Sequence, residues 1–169
     1  NLRRQLMQTL VSFKEDLCRE DFNAIPFINA DGYHSKTIAY SIWHIFRIED
    51  IVAHTVITED EQVFFTGNYQ VRINSPIITT GNELVKQQIA DFSKQLNLEE
   101  LYSYIFEVRE STEKILERFS YDELKWKIPD ERKGYLKSLN VVNCDEKAIW
   151  LIDYWCSKDI RGLIQMPFS

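Results

Sequence analysis

Apolar residues recur at three- and four-residue steps along most of this chain, and that period sets the elements it predicts. Over 2–20, Leu2, Leu6, Leu10, Phe13 and Leu17 share a helical face, while Arg3, Arg4, Lys14 and Glu15 lie elsewhere. Asn29-Ala30-Asp31-Gly32 reads as a turn before a second helix from about Ser35 to Ile57, which Ser35 or Asp31 can cap. Ile38, Ile42, Ile45, Phe46, Ile48, Ile51 and Val52 give that helix a wide apolar face. The period is lost over 58–80, where Thr66-Gly67-Asn68 is placed to turn a small hairpin between Val63-Phe64-Phe65 and Tyr69-Gln70-Val71. It returns in a short helix at about 82–95. Asn97-Leu98-Glu99-Glu100 resembles a capping box and opens a further helix to about Phe119, with Leu101, Ile105, Val108, Thr112 and Ile115 as its seam. Residues 120–143 are irregular, broken by Pro129 and Gly134. The last helix begins near Asn143-Cys144-Asp145-Glu146 and runs until Pro167 ends the pattern. The pattern predicts an all-α fold in one domain spanning 1–169: a four-helix bundle with long connections and one extra short helix.

Composition narrows the partners. Five glycines and four prolines are too few for a sandwich or barrel, which needs many punctuated turns. A net charge of −6 argues against nucleic acid or an acidic membrane surface as partner. The three cysteines, Cys18, Cys144 and Cys156, lack CxxC spacing and form no evident disulfide framework, which fits a reducing cytoplasm. No apolar run reaches the ~18 residues of a membrane span, and no signal-peptide pattern is visible. The absence of an initiator Met and the end at Met166-Pro167-Phe168-Ser169 suggest a piece of a longer product.

The candidate chemistry centres on Trp43-His44-Ile45-Phe46-Arg47-Ile48-Glu49-Asp50. His44 shares its face with Ile48 and Ile51. In the last helix Ile149, Ile152, Asp153, Cys156, Ile160 and Leu163 share a face by spacing, and an acid on an apolar face is costly unless paired or coordinating. His44, Asp153 and Cys156 are therefore candidate metal ligands converging across a bundle core, all of types that zinc accepts. The competing reading is structural: His44 hydrogen-bonded in the core, Asp153 paired with Arg47 or a lysine, Cys156 a small hydrophobe. His34 and His54 lie ten residues either side of His44, about 80° round an ideal helix, so the even spacing reads as chance. Trp43 and Trp155 read as core or interface anchors.

Ile42 to Asp50 resembles the second helix of the DinB-like (DNA-damage-inducible, YfiT-like) superfamily. Thr80-Gly81-Asn82-Glu83, Phe92-Ser93-Lys94, Val108-Arg109-Glu110-Ser111-Thr112 and the run from Trp155 to Gly162-Leu163-Ile164-Gln165-Met166-Pro167 are similar to one bacterial subgroup of it. The resemblance implies a four-helix bundle, often a homodimer, with zinc or nickel held by three histidines: one from the second helix and two from an HxxxH in the last. His44 matches the first. Cys156 and Ile160 fall at the HxxxH positions, and Ile160 cannot bind metal, so the usual triad is absent. The family includes transferases and isomerases that use small thiols, and its name implies no DNA binding. Two functions follow as expectations. One is a divalent-metal-dependent enzyme of the thiol-transferase or isomerase type with a degenerate or incomplete site, any complete site drawing on residues beyond Ser169. The other is a non-catalytic bundle that binds a small molecule or dimerises.

Overall fold

The computed structural model of the chain describes residues 2–26 and 35–166. The turn at Asn29–Gly32, the proposed cap Asp31, His34 and Pro167 lie outside these residues. Among the described residues every regular element is helical, and the only strand-like pairing is an isolated bridge between Lys127 and Asp159. The all-α expectation holds.

α1 (Leu2–Asp16) is shorter than its apolar period, and Leu17 and Cys18 separate it from α2 (Arg19–Phe22). The second long helix starts at α3 (Ile38–Asp50), where the Thr37 hydroxyl accepts from the Tyr40 N–H at 3.1 Å, rather than at Ser35. It continues without a break as a π-helix, Ile51–Thr58. That segment is rich in β-branched residues, which crowd a regular α-turn. At its end the Thr58 hydroxyl reaches the Ala53 and His54 carbonyls at 3.2 and 3.1 Å. Glu59, in the left-handed region at φ 59°, stops it.

The expected hairpin over 63–71 does not form. Its two halves are the one-turn helices α4 (Val63–Thr66) and α5 (Tyr69–Arg72), joined through Gly67 and a left-handed Asn68 at φ 54°. Gly67 and Asn68 do turn the chain, but the apolar faces of Val63, Phe64 and Tyr69 bury against the long helix Leu98–Leu116 and not against each other as strands. α6 (Gln87–Gln95) follows. α7 (Leu98–Leu116) is capped as its sequence predicts, with the Asn97 side chain accepting from the Glu100 N–H at 3.2 Å. The irregular 120–143 stretch holds a 3-10 turn (Glu123–Lys125) and α8 (Arg132–Ser138). The expected last helix is two: α9 (Glu146–Cys156) and α10 (Ile160–Gln165), each with its own aspartate cap, Asp145 and Asp159.

The buried apolar residues form two clusters. One joins α1, α3, α4, α5, α6 and α7 around Trp43, Phe46, Phe64, Tyr102 and Tyr104. The other joins the π-helix to α8, α9 and α10 around Ile51, Val56, Leu136, Ile152 and Trp155. Trp43 and Trp155 are both fully buried core anchors. The α3–π rod threads both clusters: α3 supplies Tyr40, Trp43 and Phe46 to the first and the π-helix supplies Ile51, Val52 and Val56 to the second.

The seam of α9 is turned by one residue from the one its spacing suggested. Ala148, Leu151, Ile152 and Trp155 are buried, because Leu151 and Trp155 remove far more apolar surface from water than Asp153 and Cys156 would. One residue is about 100° of rotation, and it carries Asp153 into solvent.

Candidate functional site

His44 sits on α3 against the loop that carries Thr80 and Gly81. Its Nδ1 lies 2.5 Å from the Thr80 carbonyl oxygen, and its ring stacks on Tyr40 at a centroid distance of 5.4 Å and an interplanar angle of 11°. A carbonyl oxygen only accepts, so Nδ1 carries the proton and donates it. In the neutral ring the lone pair is then on Nε2, which makes no hydrogen bond among the described residues. Burial pushes the His44 pKa down to about 4, against the upward pull of the Thr80 carbonyl. The ring is neutral at physiological pH, with tautomer and orientation both set.

The loop is shaped to reach it. Gly81 has φ +79°, and a Cβ there would lie 2.7 Å from a Trp43 ring carbon. Glycine alone allows this close approach, and its carbonyl accepts from the Tyr40 hydroxyl at 2.9 Å. Thr79 donates to Glu83 Oε1 at 2.5 Å, leaving Glu83 Oε2 buried and without a partner. Burial, then the nearby Glu83 charge, raises the Tyr40 phenol well above its usual range. Two stretches far apart in sequence, Tyr40 to His44 and Thr79 to Glu83, thus pack against each other.

The other two predicted ligands are elsewhere. Asp153 is exposed and pairs with Lys133 at 2.9 Å, a contact that holds its carboxyl below the usual range. It is neither buried nor paired with Arg47. Cys156 is half-buried at the edge of the second core cluster, where burial raises its thiol pKa and keeps the sulfur protonated. α9 packs against the π-helix and α8, beyond the end of α3, so it meets the long helix past the level of His44. The set His44, Asp153 and Cys156 is not brought together. Among the described residues no group of three His, Cys, Asp or Glu side chains is placed to hold a metal ion.

Arg47 instead belongs to a fully buried network one turn further along α3. Its guanidinium donates to Asp50 Oδ2 (3.3 Å), the Tyr104 hydroxyl (3.0 Å), Gln62 Oε1 (2.8 Å) and the Ile78 carbonyl (2.6 Å), and lies 4.0 Å over the Phe64 ring. Asp50 accepts from the Val63 and Phe64 N–H groups at 3.0 and 2.9 Å and from the Tyr104 hydroxyl at 2.8 Å. Burial pushes the Asp50 carboxyl upward, and the Arg47 cation pulls it back. This is a staple: one carboxylate pins the start of α4 and one guanidinium pins the 78–80 loop that holds His44.

His54 was missed. It lies four residues after Asp50 and is 7% exposed. Its Nε2 is 3.0 Å from the Ser111 hydroxyl on α7 and 3.9 Å from Asp50 Oδ1, while Nδ1 is buried without a partner. The three residue types resemble a hydrolytic triad, but the geometry is wrong for one. Both Ser and Asp address the same nitrogen, whereas a triad needs the acid on the opposite one. The nearby Asp50 charge favours the proton on Nε2, so His54 donates to Ser111. The spacing Arg47-x-x-Asp50-x-x-x-His54, all on one helical face, was the available signal. His54 and Ser111 form the floor of a cleft of about 610 Å³ walled by Val63, Phe106, Glu107 and Glu110.

Among the described residues no helix is long and apolar enough to cross a membrane. Comparison with known proteins places no relative beside the chain: no family model, no curated protein and no solved structure matches it.

Proposed function

We propose that this chain is a DinB-like helical-bundle protein in which His44 is a metal ligand through Nε2, serving a divalent-metal-dependent reaction on a small molecule, of the thiol-transferase or isomerase type. The observation that carries the reading is the hydrogen bond from His44 Nδ1 to the Thr80 carbonyl. Metal-binding histidines characteristically donate their other N–H to a carbonyl or carboxylate, which fixes the ring and raises its basicity. His44 fits a ligand on that count and by its neutral state, since a ligand must be deprotonated. Glu83, on the loop that carries Thr80 and with a buried orphan oxygen, is an oxygen donor of suitable chemistry. Asp153 and Cys156 do not fit, and they take no part in the proposed site. Among the described residues His44 and Glu83 would be part of the ligand set. When bound, zinc or nickel would supply Lewis acidity to a substrate oxygen or lower the pKa of a thiol or water. The chain's own contribution is orientation: Thr80 fixes the tautomer, Tyr40 fixes the ring plane, and the Arg47 guanidinium anchors the loop.

The test is zinc and nickel titration of the natural protein purified without a histidine tag. Binding that is lost in His44→Ala and kept in Asp153→Asn and Cys156→Ser is the expected result. No binding at all, or binding untouched by His44→Ala, overturns the reading.

A further inference from the structure

The cleft over His54 and Ser111 lies on a different face of the long helix from His44 and carries its own chemistry. Three features separate it from an ordinary solvated groove. Its floor is a histidine more than nine-tenths buried, held by Ser111 and Asp50, with a buried Nδ1 that has no partner. That floor sits within a π-helix, a distortion concentrated at functional positions because it re-aims side chains at the expense of regular hydrogen bonding. And a large aromatic ring, Phe106, stands 42% exposed in its wall among carboxylates.

The wall is acidic. Glu61, Glu107 and Glu110 face the cleft against one cation, Lys114, which is tied to Glu110 at 2.7 Å in an exposed pair. Such a pair contributes little and yields readily to a competing cation. Glu107 accepts a 2.5 Å hydrogen bond from the Tyr69 hydroxyl on Oε2, which orients the carboxylate. Burial and then Glu107 itself raise the Tyr69 phenol to about 12, so it remains a donor. Glu107 Oε1 has no hydrogen bond among the described residues. Carboxylates beside an exposed aromatic face form the arrangement that recognises organic ammonium groups, by charge and by cation–π attraction together.

We propose that this cleft binds a small organic amine: a protonated primary ammonium on a short aliphatic stem. The ammonium sits against Glu107 and Glu110, and the stem lies over Phe106 and Val63. The site is independent of the metal reading and shares no side chain with it.

The experiment is calorimetric titration of the full chain with 1,4-diaminobutane, beside butane-1,4-diol and succinate as neutral and anionic matches. Saturable binding of the diamine alone is expected. Glu107→Gln and Phe106→Ala, at exposed positions and checked for folding by circular dichroism, are each expected to weaken it about fivefold or more. Glu99→Gln, on the same helix but remote from the cleft, leaves it unchanged. No saturation by the diamine, equal binding of the diol, or equal weakening by Glu99→Gln overturns the proposal. None of these outcomes bears on His44, so the two readings fail separately.

Discussion

At the scale of single residues, His44 shows how a backbone carbonyl decides chemistry. The Thr80 carbonyl accepts the hydrogen bond from Nδ1–H, the ring is half-buried, and the neutral tautomer with a bare Nε2 results. This has a consequence for stability. An unfolded histidine titrates near 6.5 and the folded one at about 4, so between these values the unfolded chain binds a proton that the folded chain refuses. The contribution of neutral His44 is complete above about pH 6.5 and declines as pH falls toward 4. Between pH 7 and pH 4.5 it amounts to on the order of 2 kcal/mol. Urea denaturation at the two pH values should show a smaller acid loss in His44→Gln than in the wild type. Identical losses would mean that the folded imidazole titrates normally.

Among elements, the decisive one is the α3–π rod with the short helix α4 that it staples. α4 has only four residues and cannot persist by its own hydrogen bonds, because nucleating a helical turn is unfavourable. Asp50 accepts the first two N–H groups of α4 and is matched by Arg47 and Tyr104, with every partner buried. Removing the charge leaves Arg47 buried without its counter-ion. Asp50→Asn is therefore expected to cost about 3–5 kcal/mol in chemical denaturation. A variant as stable as the wild type would show that the network is not a matched ion pair. Asp153 offers the contrast: it is an acid of the same type, but on the wet side of α9, and its pairing with Lys133 leaves little to lose.

For the whole molecule, two core clusters share one continuous rod, with Trp43 at the centre of the first and Trp155 at the centre of the second. The second cluster is tied to the end of that rod by Arg132 of α8, which donates to the Thr55 and Val56 carbonyls of the π-helix and pairs with Glu59 at 2.6 Å. Unfolding either cluster exposes a buried segment of the same helix, so the two should melt together. Thermal unfolding followed by helical circular dichroism in Trp43→Phe and in Trp155→Phe, with tryptophan fluorescence as a second probe, is expected to give coincident single transitions in each. Separate transitions would establish two independently folding halves.

The sequence by itself determined what is local. The 3.6-residue period located most helices, because a helix closes its hydrogen bonds within four residues and buries one stripe. The Asn97 cap was legible for the same reason: donor and acceptor are three residues apart. Turn residues at Gly67 and Asn68 were also legible, but whether they joined strands or single helical turns depended on α7, distant in sequence. Tertiary structure alone decided the site. His44 meets Thr80, Arg47 meets Tyr104, and His54 meets Ser111 across separations of 36, 57 and 57 residues, which no periodicity encodes. It also decided the rotation of α9. A face drawn through Ile149, Ile152, Asp153 and Cys156 lost to the larger apolar area that Leu151 and Trp155 bury, and one residue of register moved an expected ligand from the core to the solvent.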